Sequence, residues 1–147
     1  MTWLLDTNVL SEPTKRVPST VAMGWVRSQD QTTLYTHSLA LAEIQDGIDR
    51  SADLAWREML KQWLELRVRP MFAGRVIETD EATWGTMLRI VTRARAARRT
   101  VPSFDLVFAA SAERHGLIVV TRNVKDFAGT GVRVLNPWQP APAIAVV

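Results

Sequence analysis

The sequence predicts an α/β fold with a mainly parallel central sheet covered by helices on both faces. Two observations carry this. Short apolar runs without alternation, Trp3-Leu4-Leu5 and Leu117-Ile118-Val119-Val120, read as strands buried on both sides. Between such runs lie longer stretches whose apolar residues recur every three or four positions, the period of a helix packed by one face. Strands alternating with helices point to parallel pairing through crossovers. Strand order is not readable from this pattern. Ligands of such sheets default to loops at the strands' carboxyl ends.

The elements follow in order. The first strand ends in Asp6-Thr7-Asn8, which puts a carboxylate at its carboxyl edge. The stretch Ser11–Thr20, with two prolines, reads as a loop or short turn. Val21–Ser28 reads as a helix anchored by Trp25, and Thr32–Thr36 as a β-rich strand. Ser38 is placed to cap a helix from Leu39 to Arg50. A further helix covers Leu54–Arg67, with Trp56, Met59, Leu60, Trp63 and Leu64 on one face and Pro70 just beyond it. Arg75–Thr79 is the next strand. Asp80 then caps a helix carrying Trp84, Met87, Leu88, Val91 and Ala94 on one face. Pro102 breaks the chain, Ser103–His115 is helical, and Gly116 is its C-terminal cap. Val132–Leu135 is another strand, and the proline-bearing tail after Pro137 reads as irregular.

Composition narrows the function classes. The 147 residues are 47% hydrophobic and 22% charged, enough apolar material for a packed domain. With no cysteine there is no disulfide, thiolate metal site or Cys nucleophile, which fits a cytoplasmic protein. No apolar run is long enough to span a membrane, and Asp6 and Glu12 stand where a signal peptide needs a basic start. The net charge of +3, carried mostly by arginine, favours polyanionic partners. There is no Walker-type glycine loop and no GxSxG elbow. An aspartyl-phosphate enzyme would need a second acid two residues after Asp6, where Asn8 stands. His37 and His115 lack metal-like spacing, and the six tryptophans read as core or oligomer interface.

Four places in the chain, five residues in all, remain for chemistry. Asp6 closes the first strand; its bland role is a turn or helix cap. Glu43 sits in the apolar stretch LALAEI, where a charge is poorly placed unless paired, although Asp46 and Arg50 would suit a solvated face. Asp105 falls in the first turn of a helix whose next residues are Leu106, Val107 and Phe108. An acid there also simply stabilises the helix dipole. Asn123 and Asp126 follow the Leu117–Val120 strand in TRNVKDF and read singly as turn residues. Carboxylates brought together repel unless a cation or proton compensates, and oxygen-only ligands favour Mg²⁺ or Mn²⁺ over zinc. Such an ion polarises a phosphoryl group and orients in-line attack, so the chain permits a metal-dependent phosphodiesterase.

The segments LLDTNVLSE, LAEIQDGI, PSFDLVFAASAERHGLIVVTRNVKDF and GVRVLNPW, in this order from residue 2 to about residue 138, resemble PIN-domain ribonucleases of the VapC type. Within these the chain is most similar to the FitB-like branch. The resemblance implies a three-layer α/β/α domain with a mainly parallel sheet, a single PIN-like domain over residues 1–138, and a C-terminal tail over residues 139–147. It implies an Mg²⁺- or Mn²⁺-dependent endoribonuclease acting as the toxin of a type II pair. It further implies a VapB-like antitoxin that reaches operator DNA, and a homodimer or larger toxin–antitoxin assembly. By this resemblance Asp6, Glu43 and Asp105 are the metal-binding acids. Asn123 departs from the aspartate that some members carry there, and Asp126 is available to supply the charge. Thr7 and Thr121 are hydroxyl neighbours that orient ligands or water. Candidate RNA contacts are Lys15, Arg16, Arg93, Arg95, Arg98 and Arg99, each also explicable as solvated basic surface. Two alternatives stand beside this reading: a structure-specific DNA nuclease of the same architecture, and a catalytically silent binding module.

Overall fold

A computed structural model describes residues 1–147. Its six strands are β1 (Trp3–Leu5), β2 (Leu34–His37), β3 (Val76–Ile77), β4 (Ile118–Val120), β5 (Arg133–Leu135) and β6 (Ala145–Val146). They form one sheet in the order β3-β2-β1-β4-β5-β6. The first five are parallel, with Leu5 opposite Val120 and Val120 opposite Leu135. β6 is antiparallel to β5, with Ala145 opposite Val134. The tail is therefore irregular only through residues 137–144, and its last residues cover a sheet edge. A two-residue strand leaves no periodicity to read.

The helices are α1 (Thr7–Ser11), α2 (Thr20–Ser28), α3 (Ser38–Asp49), α4 (Leu54–Trp63), α5 (Arg69–Met71), α6 (Glu81–Ala96) and α7 (Ser103–His115). From β1 through β3 the strands step in one direction across the sheet. The chain then returns past β1 and adds β4 on the other side. Right-handed crossovers accordingly put α1–α5 on one face and α6–α7 on the other, which makes three layers. Leu4 and Val119 in the sheet, Ile44 in α3, Ile90 in α6 and Phe108 in α7 belong to one buried apolar core. Each such side chain contributes about 1.5–3 kcal/mol by leaving water. No helix is long and apolar enough to cross a membrane.

Several elements differ from their sequence expectations. α3 begins at Ser38, and its cap is His37: the imidazole Nδ1 accepts the Leu39 N–H at 2.9 Å. Ser38 instead donates its hydroxyl to Glu78 Oε2. The helix expected to stop before Pro70 continues to Met71 through a π turn at Leu64–Val68. That wider turn relieves the clash between a proline ring and the carbonyl four residues back. Only Leu64 of its predicted apolar face is buried, while Trp56 and Met59 are exposed. In α6 the buried positions are Thr83, Thr86, Ile90 and Ala94, and Trp84 and Leu88 face outward. Threonine packs inward here because Thr86 satisfies its hydroxyl on the Ala82 carbonyl and Thr83 bonds Asp80. Gly116 ends α7 in the left-handed region at φ 67°, as a C-terminal glycine should.

A candidate active site at the carboxyl ends of β1 and β4

Because β1 leads to β2 on one side and pairs with β4 on the other, their carboxyl ends form the sheet's topological switch point. Asp6 ends β1 and Thr121 ends β4. The Thr121 hydroxyl donates to Asp6 Oδ2 at 2.6 Å across this point. Asp6 also caps α1, its Oδ1 accepting the Thr7 N–H at 2.7 Å. Both the turn-forming and the edge-acid readings of Asp6 therefore apply to one side chain. Asn8 completes the cradle: its amide nitrogen donates to Asp6 Oδ2 at 2.8 Å and to Thr121 Oγ1 at 3.1 Å. With two donors on Oδ2 and one on Oδ1, the remaining acceptor capacity of Asp6 lies on Oδ1.

Thr7 links two of the acids. Its N–H serves Asp6, and its hydroxyl donates to Glu43 Oε1 at 2.8 Å. Glu43 comes from α3, whose buried side carries Ala40, Leu41, Ile44 and Ile48. Asp105 comes from the first turn of α7, just before the buried Val107 and Phe108. Asp126 lies in a 3₁₀ turn, Val124–Phe127, pinned by its own N–H to the Asn123 carbonyl at 3.0 Å. Asn123 is exposed and donates its backbone N–H to Thr121 Oγ1.

The acids raise one another's proton affinity. Burial pushes the Asp6 carboxyl up; bonds from Thr121, Thr7 and Asn8 counter this, and Asp126 adds to it. Burial also raises Glu43, with Thr7 opposing and Asp6 reinforcing. Asp105 is pushed up to about 6, first by burial and then by the charges of Asp6, Asp126 and Glu43. Asp105 thus lies within electrostatic reach of the other three carboxylates, and Asp6 within reach of Glu43 and Asp126. As they stand, no three acids are close enough to form a ready ligand set for one ion. The donor chemistry nonetheless fits a hard divalent cation. Every candidate ligand is oxygen, and the mutual repulsion is uncompensated by any ion pair to these four groups. An open cleft of about 250 Å³, lined in part by Thr7, Glu43 and Trp63, adjoins the cluster.

The basic candidates separate. Lys15 pairs with Glu12 at 2.7 Å, a carboxylate only 3% exposed that also accepts the Ser19 N–H. Arg93 is committed to the Thr130 carbonyl and to Glu113. Arg16, Arg95, Arg98 and Arg99 are exposed. Sequence reasoning missed Asn8 and Glu12. Asn8 had one available signal, its position two residues after the edge acid in the same turn. Glu12 had none, because its burial depends on how the loop after α1 folds back.

Residues 3–131 match the family model described as the PIN domain. The chain belongs to the PIN-domain family. Within that family it is 32% identical to the VapC ribonuclease Y4jK of Sinorhizobium fredii, over 94% of this chain and 99% of that protein. It is also 32% identical to the toxin FitB of Neisseria gonorrhoeae, over 92% of this chain and 97% of that one. The crystal structure of FitAcB from Neisseria gonorrhoeae superposes with a TM-score of 0.91 at 31% identity, covering 94% of this chain and 99% of that chain. This PIN-domain protein therefore falls in the VapC/FitB group of toxins, as its ordered motifs led one to expect.

The Thr121 hydroxyl is the hub of this PIN-domain site, donating to Asp6 and accepting from Asn8 and Asn123. Thr121→Val keeps the shape and deletes the hub. We expect a folded protein destabilised by about 1–3 kcal/mol, since two donors lose their buried acceptor. Thermal melting checks this. Unchanged stability would show that the hydroxyl network is not closed in solution.

Proposed function

We propose that the chain is a metal-dependent endoribonuclease, the toxin of a type II toxin–antitoxin pair. The observation that carries this reading is the convergence of Asp6, Glu43 and Asp105 at the β1/β4 switch point, with Asp126 beside them and the first three raised in proton affinity by burial and by neighbouring acids. The identity to a named VapC ribonuclease and a named toxin supports it.

Asp6, Asp105 and Glu43 would hold Mg²⁺ or Mn²⁺, with Asp126 as the fourth carboxylate in place of the neutral Asn123. When bound, such an ion supplies positive charge that balances the acids and the charge developing on the phosphoryl oxygens. Glu43 Oε1 is held by Thr7, which leaves Oε2 to orient the attacking water and accept its proton. The water oxygen bonds to phosphorus in line, and the bond from phosphorus to the leaving sugar oxygen breaks. That oxygen then takes a proton from solvent. Thr121 and Asn8 keep Asp6 in one orientation through this step.

A VapB-like antitoxin is the partner. An apolar groove of about 240 Å³, lined by Leu10, Met23, Val26, Trp63 and Met71 among others, and the exposed Met59 of α4 suit its side chains. Operator DNA would be reached through the antitoxin. The outward-facing Trp84, Leu88 and Phe104 suit a second copy of the chain.

The test is incubation of the purified, antitoxin-free chain with total cellular RNA, with and without Mg²⁺ or Mn²⁺, followed by sequencing of the cut ends. Discrete cuts that require metal and disappear on adding antitoxin are expected. Cutting of flap DNA but not RNA would move the assignment to a structure-specific DNA nuclease. No cutting by folded protein supplied with metal would leave a silent binding module.

A further inference from the structure

One cation beside the acids stands apart from those singled out in the sequence. Arg122 follows Thr121 directly, at the carboxyl end of β4. Its backbone N–H donates to Asn8 Oδ1 at 3.2 Å, and the Asn8 amide nitrogen donates to Asp6 Oδ2 at 2.8 Å. Only one orientation of the Asn8 amide satisfies both ends. Two hydrogen bonds therefore tie the Arg122 main chain to the central acid.

The side chain is organised as well. The guanidinium carbon lies 5.7 Å from the centre of the Trp138 ring. Trp138 is itself held in place, its backbone N–H bonded to Asn136 Oδ1 at 3.0 Å and its ring packed against the core. Arg122 is exposed and takes part in no ion pair. Its charge nevertheless reaches Glu12, so it lies on the same side of the cluster as the Glu12–Lys15 pair.

A guanidinium over an aromatic face loses little freedom on binding and keeps its in-plane donors for a ligand. Those donors match the paired oxygens of a phosphodiester. Arg75 also lies over a ring, that of Phe72, but its donors are spent on the carbonyls of Gln31, Leu34 and Met71, and the cations singled out in the sequence do not combine these properties either. Lys15 is neutralised by Glu12, Arg93 is spent on Glu113 and Thr130, and the arginines 16, 95, 98 and 99 have no ring beneath them. A negatively charged strand laid across four carboxylates also needs an attractive contact beside them.

We infer that Arg122, held over Trp138, is a binding site for a phosphate of single-stranded RNA next to the scissile one. This deepens the nuclease reading and rests on it for the identity of the strand.

The probe is a short fluorescent single-stranded RNA. Binding is measured by anisotropy across a salt series, in the full chain carrying Asp105→Asn so that the RNA is not consumed. Adding Arg122→Gln is expected to weaken binding about tenfold, the size of one charge-assisted contact. It should also flatten the slope of log affinity against log salt by about 0.7, the share of one phosphate on a single strand. Arg122→Lys should restore the slope but not the full affinity, because a point charge lacks the fork and the stacking. Trp138→Phe should retain both. In the otherwise unaltered chain, Arg122→Gln should raise KM more than it lowers kcat.

Affinity and slope unchanged by Arg122→Gln in a folded protein would overturn the inference. So would loss of antitoxin binding alone, which would make Arg122 a protein contact, or an Asp105→Asn chain that binds no RNA at low salt. The nuclease reading stands or falls separately, on whether the unaltered chain cuts RNA with metal.

Discussion

Asp6→Asn is expected to lower metal-dependent RNA cleavage by about a thousandfold or more while leaving the protein folded. The side chain is only 7% exposed and sits where β1 meets β4, so it has few ways to be replaced by a neighbour. Asparagine keeps one oxygen for the Thr121 hydroxyl and the Asn8 amide, which are the two donors on Oδ2. Its nitrogen then faces the Thr7 N–H, donor against donor, at a cost of about 1–3 kcal/mol. Removal of a buried charge offsets part of that cost, because burial already disfavours the ionised form of Asp6. The fold should therefore survive and the anionic ligand should not. Cleavage rates with Mg²⁺ and Mn²⁺, beside a circular dichroism melt, measure both. Relief of growth arrest on expression gives an independent readout. Cleavage within tenfold of the unaltered chain, with contaminating nuclease excluded, would sink the assignment of Asp6.

Asp105→Asn should move activity and stability in opposite directions. The Asp105 carboxyl is raised from 3.8 to about 6 by burial and by Asp6, Asp126 and Glu43. The folded chain thus holds a proton that the unfolded chain has released across that interval. Stability due to this group is greatest below the unfolded value, falls as pH rises from 3.8 toward about 6, and stays low above it. Asparagine removes the penalty. In EDTA, well above the folded value, the variant should be more stable by about 1–2 kcal/mol, a figure reduced for the part of the group that water screens. Below the unfolded value the two proteins should melt alike, apart from the shape change. Divalent metal should raise the melting temperature of the unaltered chain and do less for the variant, because the ion relieves the same repulsion that asparagine removes. Cleavage should be lost. A variant no more stable than the parent in metal-free neutral buffer would mean that the acids are not gathered as the structure places them.

The two variants separate the roles of acids that look equivalent in the chain. Asp6 is held by three internal donors, whereas Asp105 is held mainly in opposition to its neighbours. A bound cation would supply what Asp105 lacks. In the proposed reading, the groups that would perform the chemistry are ones that weaken the fold.

Element types were legible because their signals are local. Trp3-Leu4-Leu5 and Leu117–Val120 announce buried strands within a few residues, and Gly116 announces the end of α7. The positions of Asp6, Glu43 and Asp105 could be picked out because ordered motifs along the chain resemble a known family. Faces were harder. The apolar residues of α4 and α6 suggested buried stripes that the single chain leaves largely in water at Trp56, Met59, Trp84 and Leu88. Periodicity reports that a face is apolar and not what covers it.

The sequence by itself determined most of the strands and helices, though not α1, β6 or the helical turns past Pro70, and it determined that the available ligands would be oxygen and that Asp6 would stand at a strand end. Only the tertiary structure decided which of those groups meet. Thr121 bonds Asp6 across 115 positions, Asn8 bonds Thr121 across 113, and Thr7 bonds Glu43 across 36. The first two exist because β4 lies beside β1 in a particular register and the third because α3 packs on α1, and strand order is a property of how crossovers pack rather than of any stretch of residues. For the same reason Arg122 and Trp138 carried no signal until β4 and the segment after β5 were set side by side.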